Sequence, residues 1–366
     1  MGFNCGIVGL PNVGKSTIFN ALTSAAAAAE NFPFCTIEPN TGIVPLRDPR
    51  LDRMAAISES AKVTPTTMEF VDIAGLVKGA SQGEGLGNQF LAHIRAVDAI
   101  VQVVRCFDDP DVVHVHGVIN PVEDADVVNL ELLFADLETV ERRAEKVEKL
   151  ARVGKKESVV EAELLGRYRE ALRDNRPARS VAVTAEEQSI VQSWQLLTNK
   201  PMLYVANVGE KALKMLPTHR SYQQFVVFAK TTGAVVVPIC GAIESEIAQL
   251  APSDRAVFLA DVGLEASGLD RLAHAGHRLL HLIAFFTTGP KETRAWTVRE
   301  GTTAPEAAGK IHSDLERGFI RAETYQCDEL FVHGSEAALR AKGLIRQEGK
   351  AYIVCDGDVM FFKFHV

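Results

Sequence analysis

The 366-residue sequence lacks several features that mark large classes of proteins. None of its six cysteines stands in a CxxC pair, which argues against zinc-ribbon and thioredoxin-type sites. Scattered single cysteines fit free thiols in a reducing compartment, so we expect a cytoplasmic protein. No uncharged apolar stretch approaches the ~18 residues of a membrane span, so no membrane partner is expected. The N-terminus shows neither a basic segment nor a cleavage site, so we expect no secretory signal.

The chain also lacks an excess of positive charge. Lys and Arg total 39 against 47 Asp and Glu, which gives a net charge of −8 at pH 7. This balance disfavours a protein that coats nucleic acid by charge alone, and no DNA partner is expected. The apolar fraction of 47% is typical of a folded globular chain, and the length predicts two or three domains.

Short apolar runs alternate with helix-like segments through the first two thirds of the chain. Such runs are typical of strands that are buried on both faces of a parallel sheet. The predicted fold class is therefore a doubly wound α/β domain. The runs are residues 3–8, 68–73, 99–107, 202–206 and 235–239.

Two further regions interrupt or follow this pattern. Apolar residues recur at spacings of three and four over 130–150, and a second helix follows, which predicts an inserted antiparallel helical hairpin. From about residue 283 short strands accompany one main helix over 304–319, which predicts a small α+β domain. The predicted division is a discontinuous α/β domain over 1–128 and 199–280, a hairpin over 129–198, and a C-terminal domain over 281–364.

The predicted hairpin has a local excess of positive charge. Residues 141–179 contain 12 basic and 8 acidic side chains, a difference of +4. One interpretation is a solvated helix face with ion pairs four residues apart, such as Glu145–Lys149 and Glu148–Arg152. The other interpretation is a contact surface for nucleic acid. The sequence leaves both open.

The strongest motif is Gly9-Leu-Pro-Asn-Val-Gly14-Lys15-Ser16, which lies between a predicted strand and a predicted helix. This is the phosphate-loop pattern in the context that it requires. The glycines let the backbone turn around a phosphate, and backbone amides supply an anion site. Lys15 adds positive charge at the β- and γ-phosphates, and the Ser16 hydroxyl is placed to coordinate Mg²⁺.

A second motif, Asp72-Ile-Ala-Gly75, stands at the end of a predicted strand. Asp72 is expected to hold the same Mg²⁺, and the Gly75 amide is expected to contact the γ-phosphate. The next residue is Leu76, where Ras-type GTPases carry the glutamine that orients the attacking water. Because leucine cannot position water, hydrolysis must use another group or be slow.

Two segments near these motifs are expected to change conformation when nucleotide binds. The glycine-rich residues 75–87 predict a loop that nucleotide binding orders. Thr36 lies between the phosphate-loop helix and the next strand, where a threonine often completes Mg²⁺ coordination. Thr41 and Thr23 are the alternatives to Thr36.

The segment after the fourth buried run bears on the choice between ATP and GTP. GTPases bind guanine with Asn-Lys-x-Asp, whereas this chain reads Asn207-Val208-Gly209-Glu210. Valine lacks the aliphatic stem that covers the base, and glutamate moves the carboxylate by one methylene. A displaced acceptor weakens the preference for guanine, while adenine could use backbone groups near Val208. A plain strand-to-helix turn is the alternative.

Together these segments resemble the YchF-type Obg-like ATPases, and the resemblance covers nearly the whole chain. It implies an Obg-related P-loop G domain with an inserted α-helical hairpin and a C-terminal TGS domain of β-grasp type. It also implies slow hydrolysis of ATP in preference to GTP, and association with ribosomes. The segments that carry it are residues 9–16, 31–39, 72–76, 85–95 and 207–210.

The resemblance assigns roles to single residues. His114 takes the place of the missing glutamine, with His93 as the alternative, and Lys15 is the second catalytic residue. Asn12 matches a position linked to K⁺ dependence in related GTPases, so K⁺ is a possible further cofactor. The nucleotide contacts are Asn12, Val13, Gly14, Lys15, Ser16, Thr17, Gly75, Asn207 and Val208, and the Mg²⁺ ligands are Ser16, Thr36 and Asp72.

Some expectations stay open at this level. The fifth nucleotide motif reads Cys240-Gly-Ala242 instead of Ser-Ala-Lys, which leaves its base contact undefined. Cys5 and Cys35 are either buried thiols or redox-sensitive groups near the nucleotide. An ordinary Obg-type GTP switch and a nucleotide-stabilised RNA or ribosome adaptor with little hydrolysis are the alternative functions.

Overall fold

The computed structural model describes residues 3–27, 40–73, 86–114, 117–153 and 155–365. The described residues form two compact units. The first unit runs to residue 275 apart from residues 44–68, which belong with the residues from 276 onwards in the second unit. The predicted boundaries of the α/β domain, the hairpin and the C-terminal domain remain predictions.

The elements follow one another in this order. The first part of the chain contains β1 (Asn4–Val8), α1 (Lys15–Ala27), β2 (Thr41–Pro45), α2 (Pro49–Ile57), β3 (Val63–Thr64), β4 (Thr67–Asp72), α3 (Leu86–Ala96) and β5 (Ala99–Cys106). The middle part contains α4 (Pro121–Ala151), α5 (Lys156–Arg173), α6 (Ala185–Ser193), β6 (Met202–Val208), α7 (Glu210–Leu213), α8 (Arg220–Thr231), β7 (Val235–Ile239), α9 (Gly241–Gln249), α10 (Pro252–Asp261) and α11 (Gly268–Leu279). The last part contains β8 (Leu282–Thr287), β9 (Thr293–Arg299), α12 (Ala304–Ile311), α13 (Ser313–Arg317), β10 (Phe319–Gln326), α14 (Cys327–His333), α15 (Glu336–Ala341), β11 (Arg346–Glu348) and β12 (Asp358–Phe364).

A six-stranded sheet with the order β2-β4-β1-β5-β6-β7 forms the centre of the first unit. The pairs β4–β1, β1–β5, β5–β6 and β6–β7 are parallel. Every residue of β5 and β6 is buried, which explains why their sequences are mostly apolar. The fold class predicted from the sequence is confirmed. Because parallel strands end at the same edge, the loops after β1, β5, β6 and β7 meet there.

The inserted hairpin consists of α4 and α5, which pack around a shared apolar core. Val140, Ala144 and Val147 of the predicted stripe are buried in it, but Phe134 and Leu150 are 48% exposed. The prediction of one continuous buried stripe was therefore wrong in part, because the N-terminal half of α4 turns a different face, with Val128 buried, towards the α/β domain.

The charged residues of the hairpin pair mainly between helices, not along one helix. Glu148 contacts Arg169 of α5 at 3.5 Å, and Arg152 has no ion pair in the described residues, so the predicted Glu148–Arg152 pair is wrong. Arg143 contacts Glu161 at 2.6 Å, again across the two helices.

A second six-stranded sheet, with the order β11-β10-β12-β8-β9-β3, forms the second unit. The predicted single helix over 304–319 is wrong: His312 has extended backbone between α12 and α13, and Phe319 begins β10. Gly318 ends α13 and lets the chain turn into the strand. Between β11 and β12 the chain forms no further strand, and its β-pairing there is limited to one bridge between Ile353 and Thr303.

No described helix has both the length and the apolar composition needed to cross a membrane.

Candidate nucleotide site

A cavity of about 880 Å³ opens at the edge of the sheet where β1, β5, β6 and β7 end. Its volume lies in the range of cavities that hold a drug-sized ligand or a nucleotide. Four loops supply its lining. The lining residues are Leu10, Pro11, Asn12, Gly14, Lys15, Ser16 and Thr17; Phe107, Asp108, Asp109 and Val112; Asn207, Val208, Gly209 and Glu210; and Cys240, Gly241 and Ala242.

The phosphate loop connects β1 to α1, and its glycines are sterically required. Gly14 has φ +87°, and a Cβ atom there would lie 2.1 Å from Nδ2 of Asn207. A Cβ atom on Gly9 would lie 2.8 Å from the carbonyl oxygen of Val103. Helix α1 begins at Lys15, so the unpaired N–H groups of its first turn point towards the cavity. This arrangement suits an anionic ligand such as a phosphate chain.

Lys15 and Asp72 lie side by side although they come from different motifs. The Lys15 ammonium group forms an ion pair with Oδ1 of Asp72 at the end of β4. Lys15 lines the cavity, whereas Asp72 does not. The structure thus brings the phosphate-loop cation and the predicted Mg²⁺ carboxylate into contact, which the sequence could only infer from their motifs.

Asn207 connects the loops that form two sides of the cavity. It lies at the end of β6, and its side chain is buried. Its Nδ2 donates to the Val13 carbonyl at 2.9 Å, and its Oδ1 accepts from the Gly241 N–H at 3.1 Å. Asn207 therefore ties the phosphate loop to the start of α9. Val208, Gly209 and Glu210, which follow it, line the cavity.

The loop after β5 lines the cavity, although no motif in the sequence predicted it. Phe107, Asp109 and Val112 belong to it. Asn12 of the phosphate loop donates from Nδ2 to the carbonyl oxygen of Val113 at 3.1 Å. Its position in the sequence could have indicated this role, because the loop after a central parallel strand lies at the ligand-binding edge of such a sheet.

The structure places His114 just beyond that loop. Its Nε2 lies 2.8 Å from Oδ2 of Asp124 in the first turn of α4, and both side chains are buried. His114 does not line the cavity. The alternative residue, His93, is exposed on α3. The two candidates thus differ in environment: one is held by a carboxylate and the other is on the surface.

Several of the predicted residues belong to other parts of the chain. Thr36, Gly75, Leu76 and Cys35 lie outside the described residues. Of the alternatives to Thr36, Thr23 donates its hydroxyl hydrogen to the Asn20 carbonyl at 2.9 Å.

The described cysteines near the sheet are buried thiols. Burial raises the pKa of Cys5 to about 12, with the charge of Asp98 as a smaller cause. Burial likewise raises the pKa of Cys106 to about 12. Burial also raises the pKa of Cys240, which lines the cavity. Such thiols carry little thiolate at neutral pH and are unreactive.

A parallel sheet, a phosphate loop with its required glycines, and an acidic residue paired with the loop lysine define a P-loop nucleotide-binding protein of the GTPase superfamily. Family models agree: residues 4–159 match the family described as "50S ribosome-binding GTPase". Residues 282–365 match the C-terminal family of YchF GTPases, described as a protein of unknown function (DUF933).

Individual relatives match the whole chain. The ribosome-binding ATPase YchF of Escherichia coli O157:H7 is 51% identical over 100% of both chains. Obg-like ATPase 1 of Caenorhabditis elegans is 43% identical over 98% of this chain and 91% of its own. The solved structure of the Schizosaccharomyces pombe YchF GTPase superimposes with a TM-score of 0.90 at 35% identity, covering 99% of this chain and 98% of that chain. The chain therefore belongs to the YchF family, as its motifs predicted.

Proposed function

We propose that this chain is a ribosome-binding ATPase that hydrolyses ATP slowly to ADP and phosphate and uses ATP binding as a switch. The observation that carries the proposal is the segment Asn207–Glu210, which lines the cavity with Val and Glu where a guanine site needs Lys and Asp. Relatives named as ribosome-binding ATPases support it. The related Schizosaccharomyces pombe protein is named a GTPase, so a comparison of ATP with GTP is the direct test of the proposal.

The experiment is a pair of titrations of ATP and GTP against the purified protein, with Mg²⁺ and K⁺ present. We expect ATP to bind at least ~10-fold more tightly, about 1.4 kcal/mol. The double change Val208→Lys with Glu210→Asp restores the guanine motif and should move the preference towards GTP. A preference for GTP in the unaltered protein would instead support the ordinary Obg-type switch.

The phosphate end of the site supplies the groups that the reaction needs. Asn12 to Thr17 surround the phosphates, and Lys15 stabilises the negative charge of the transition state as a catalytic residue. The donors available for Mg²⁺ are the Ser16 hydroxyl in the cavity and the Asp72 carboxylate, which fit because Mg²⁺ prefers oxygen ligands. Thr36 is the third proposed ligand, and the Gly75 amide is proposed to contact the γ-phosphate. When bound, Mg²⁺ would neutralise charge on the phosphate oxygens.

We assign the positioning of the attacking water to His114. The carbonyl of the preceding residue, Val113, is bonded to Asn12, so this segment lies against the phosphate loop. His114→Ala should lower kcat while leaving the affinity for ATP near that of the unaltered protein. His93→Ala is the matched control, and its kcat should not change. An unchanged kcat for His114→Ala would remove His114 from the mechanism.

Asn12 supports a role for K⁺. A monovalent cation near the phosphates would supply the positive charge that an arginine finger supplies in other GTPases. Hydrolysis should therefore be faster in K⁺ than in Na⁺ at equal ionic strength. Equal rates in the two salts would end the K⁺ hypothesis.

The tip of the helical hairpin is the proposed ribosome contact. Lys149, Arg152 and Lys155 are exposed there, and in the described residues none of them has an ion-pair partner. By contrast, Arg142 and Arg143 are paired with glutamates. Changing the three tip residues to Ala should weaken ribosome co-sedimentation, and the effect should decrease in high salt. Arg142→Ala is the control, and co-sedimentation that is unchanged by the tip variant would leave the tip as a solvated surface. Contact with ribosomes implies a cytoplasmic location.

A further inference from the structure

Arg105 is a buried arginine whose charge is not neutralised by a carboxylate in the part of the chain that the structure describes. It is the penultimate residue of β5 and is 1% exposed, with one of the largest fully buried side chains of the chain. A buried guanidinium group is costly unless its N–H groups are hydrogen-bonded. The position of its partners therefore shows what the residue holds in place.

All three side-chain partners of Arg105 are backbone carbonyls of one short loop, residues 107–112. Nε donates to the carbonyl of Phe107 at 3.1 Å, and Nη1 donates to that of Val112 at 2.9 Å. Nη2 donates to the carbonyl of Asp109 at 3.2 Å. The guanidinium carbon also lies 4.5 Å from the centre of the Phe107 ring. One planar group thus fixes the beginning, middle and end of the loop.

The 107–112 loop is also part of the nucleotide cavity. Phe107, Asp109 and Val112 line it, although Arg105 does not. A Cβ atom built on Gly209 would lie 3.9 Å from Cβ of Phe107, so the loop is adjacent to the base-recognition segment. The loop therefore forms a side of the cavity that the base of a nucleotide approaches.

We propose that Arg105 is a positioning residue that holds the 107–112 loop as the base side of the nucleotide cavity. This inference rests on the proposed function of the site. Arg105 acts through the loop and does not itself contact the nucleotide. Its effect should fall on the nucleoside part of the ligand and leave the phosphate chain unaffected, because Lys15 and the phosphate loop are held by other contacts.

The variant that tests the proposal is Arg105→Lys, which retains the positive charge. A single ammonium nitrogen cannot reach three separated carbonyls in the geometry of the guanidinium fork. We expect ATP and ADP to bind ~10-fold more weakly, about 1.4 kcal/mol. Inorganic tripolyphosphate lacks a base, so its inhibition constant for ATP hydrolysis should change by less than about twofold in this variant.

The control is Arg179→Lys. Arg179 donates to the Thr198 carbonyl at 3.1 Å and does not line the cavity, so all three ligands should bind as before. If ATP and tripolyphosphate weaken by the same factor in Arg105→Lys, or if ATP binding does not change, the proposal is overturned. If Arg105 served only general stability, the variant would have a lower melting temperature, and its affinities for ATP and for tripolyphosphate would fall by the same factor.

The same distinction is measurable on the unaltered chain if Arg105→Lys does not fold. ATP and ADP should slow hydrogen–deuterium exchange of residues 107–112, and tripolyphosphate should not. Equal protection by tripolyphosphate would contradict the assignment of this loop to the base. A failure of the proposed ATP preference is a separate outcome, because the comparison with tripolyphosphate does not depend on which purine binds more tightly.

Discussion

The change Asn207→Asp tests how the cavity is held together, because aspartate has nearly the same shape but no amide. In the variant the Gly241 N–H keeps an oxygen acceptor at residue 207. The Val13 carbonyl loses its donor, which in the unaltered protein is Nδ2 of Asn207 at 2.9 Å. When the new carboxyl group is ionised, two acceptors face each other in a buried position. When it is protonated, its O–H donates to Val13 and restores the bond.

The magnitude follows from that lost bond. An unsatisfied buried carbonyl costs about 1–3 kcal/mol. The same cost raises the folded pKa of the new carboxyl group by about 1–2 units above its ordinary value of about 3.9. A raised folded pKa means that the folded state binds more protons than the unfolded state at intermediate pH. The variant should therefore match the unaltered protein below about pH 4 and lose stability as the pH rises through about 5–6.

The assay is urea unfolding followed by the fluorescence of Trp194, which is buried in the first unit. Both proteins carry Trp296→Phe, so that only the first unit reports. The loss in free energy of unfolding caused by Asn207→Asp should be on the order of 1 kcal/mol larger at pH 8 than at pH 5. Asn207→Ala loses both bonds and should show a deficit that does not depend on pH. An equal deficit for Asn207→Asp at the two pH values would refute the reasoning.

Two further predictions concern other contacts of the same unit and the free thiols. Gly14→Ala places a Cβ atom 2.1 Å from Asn207 at φ +87°, so ATP affinity should fall by more than ~10-fold in a nucleotide titration. Gly166→Ala on α5, where no atom apart from neighbouring residues and the helix's own backbone lies within 4 Å of the added carbon, is the control and should bind ATP normally. Iodoacetamide at pH 8 should label the exposed Cys355 long before Cys5 and Cys106, whose pKa values are about 12, as peptide mass spectrometry would show. Fast labelling of Cys5 would show that its thiol is accessible.

The sequence predicted those parts of the site that depend on local backbone chemistry. The spacing of Gly9, Gly14 and Lys15 is itself a steric requirement, so the motif predicted the loop before any contact was known. The parallel sheet was predictable for a similar reason, because burial on both faces leaves continuous apolar runs. The motifs also predicted that Asp72 serves the same site as Lys15, but not the ion pair that joins the two side chains.

The features that the sequence did not predict depend on contacts between distant segments. Arg105 is one charged residue in an apolar run, and nothing local indicates that three carbonyls of the following loop surround it. The pairing of Glu148 with Arg169 depends on the register between α4 and α5, which the spacing along one helix does not contain. The Asp124 partner of His114 depends in the same way on where α4 begins.

Helix α4 is long enough to convert a small rotation at one end into a large displacement at the other. It is one helix of 31 residues, which at 1.5 Å per residue makes a rod about 46 Å long. Its first turn holds His114 through Asp124, and its far end is the tip of the hairpin. A tilt of about 5° at the His114 end would displace the far end by roughly 4 Å, given that rise per residue. A small rotation at the His114 end would thus displace the tip far enough to make or break a set of contacts.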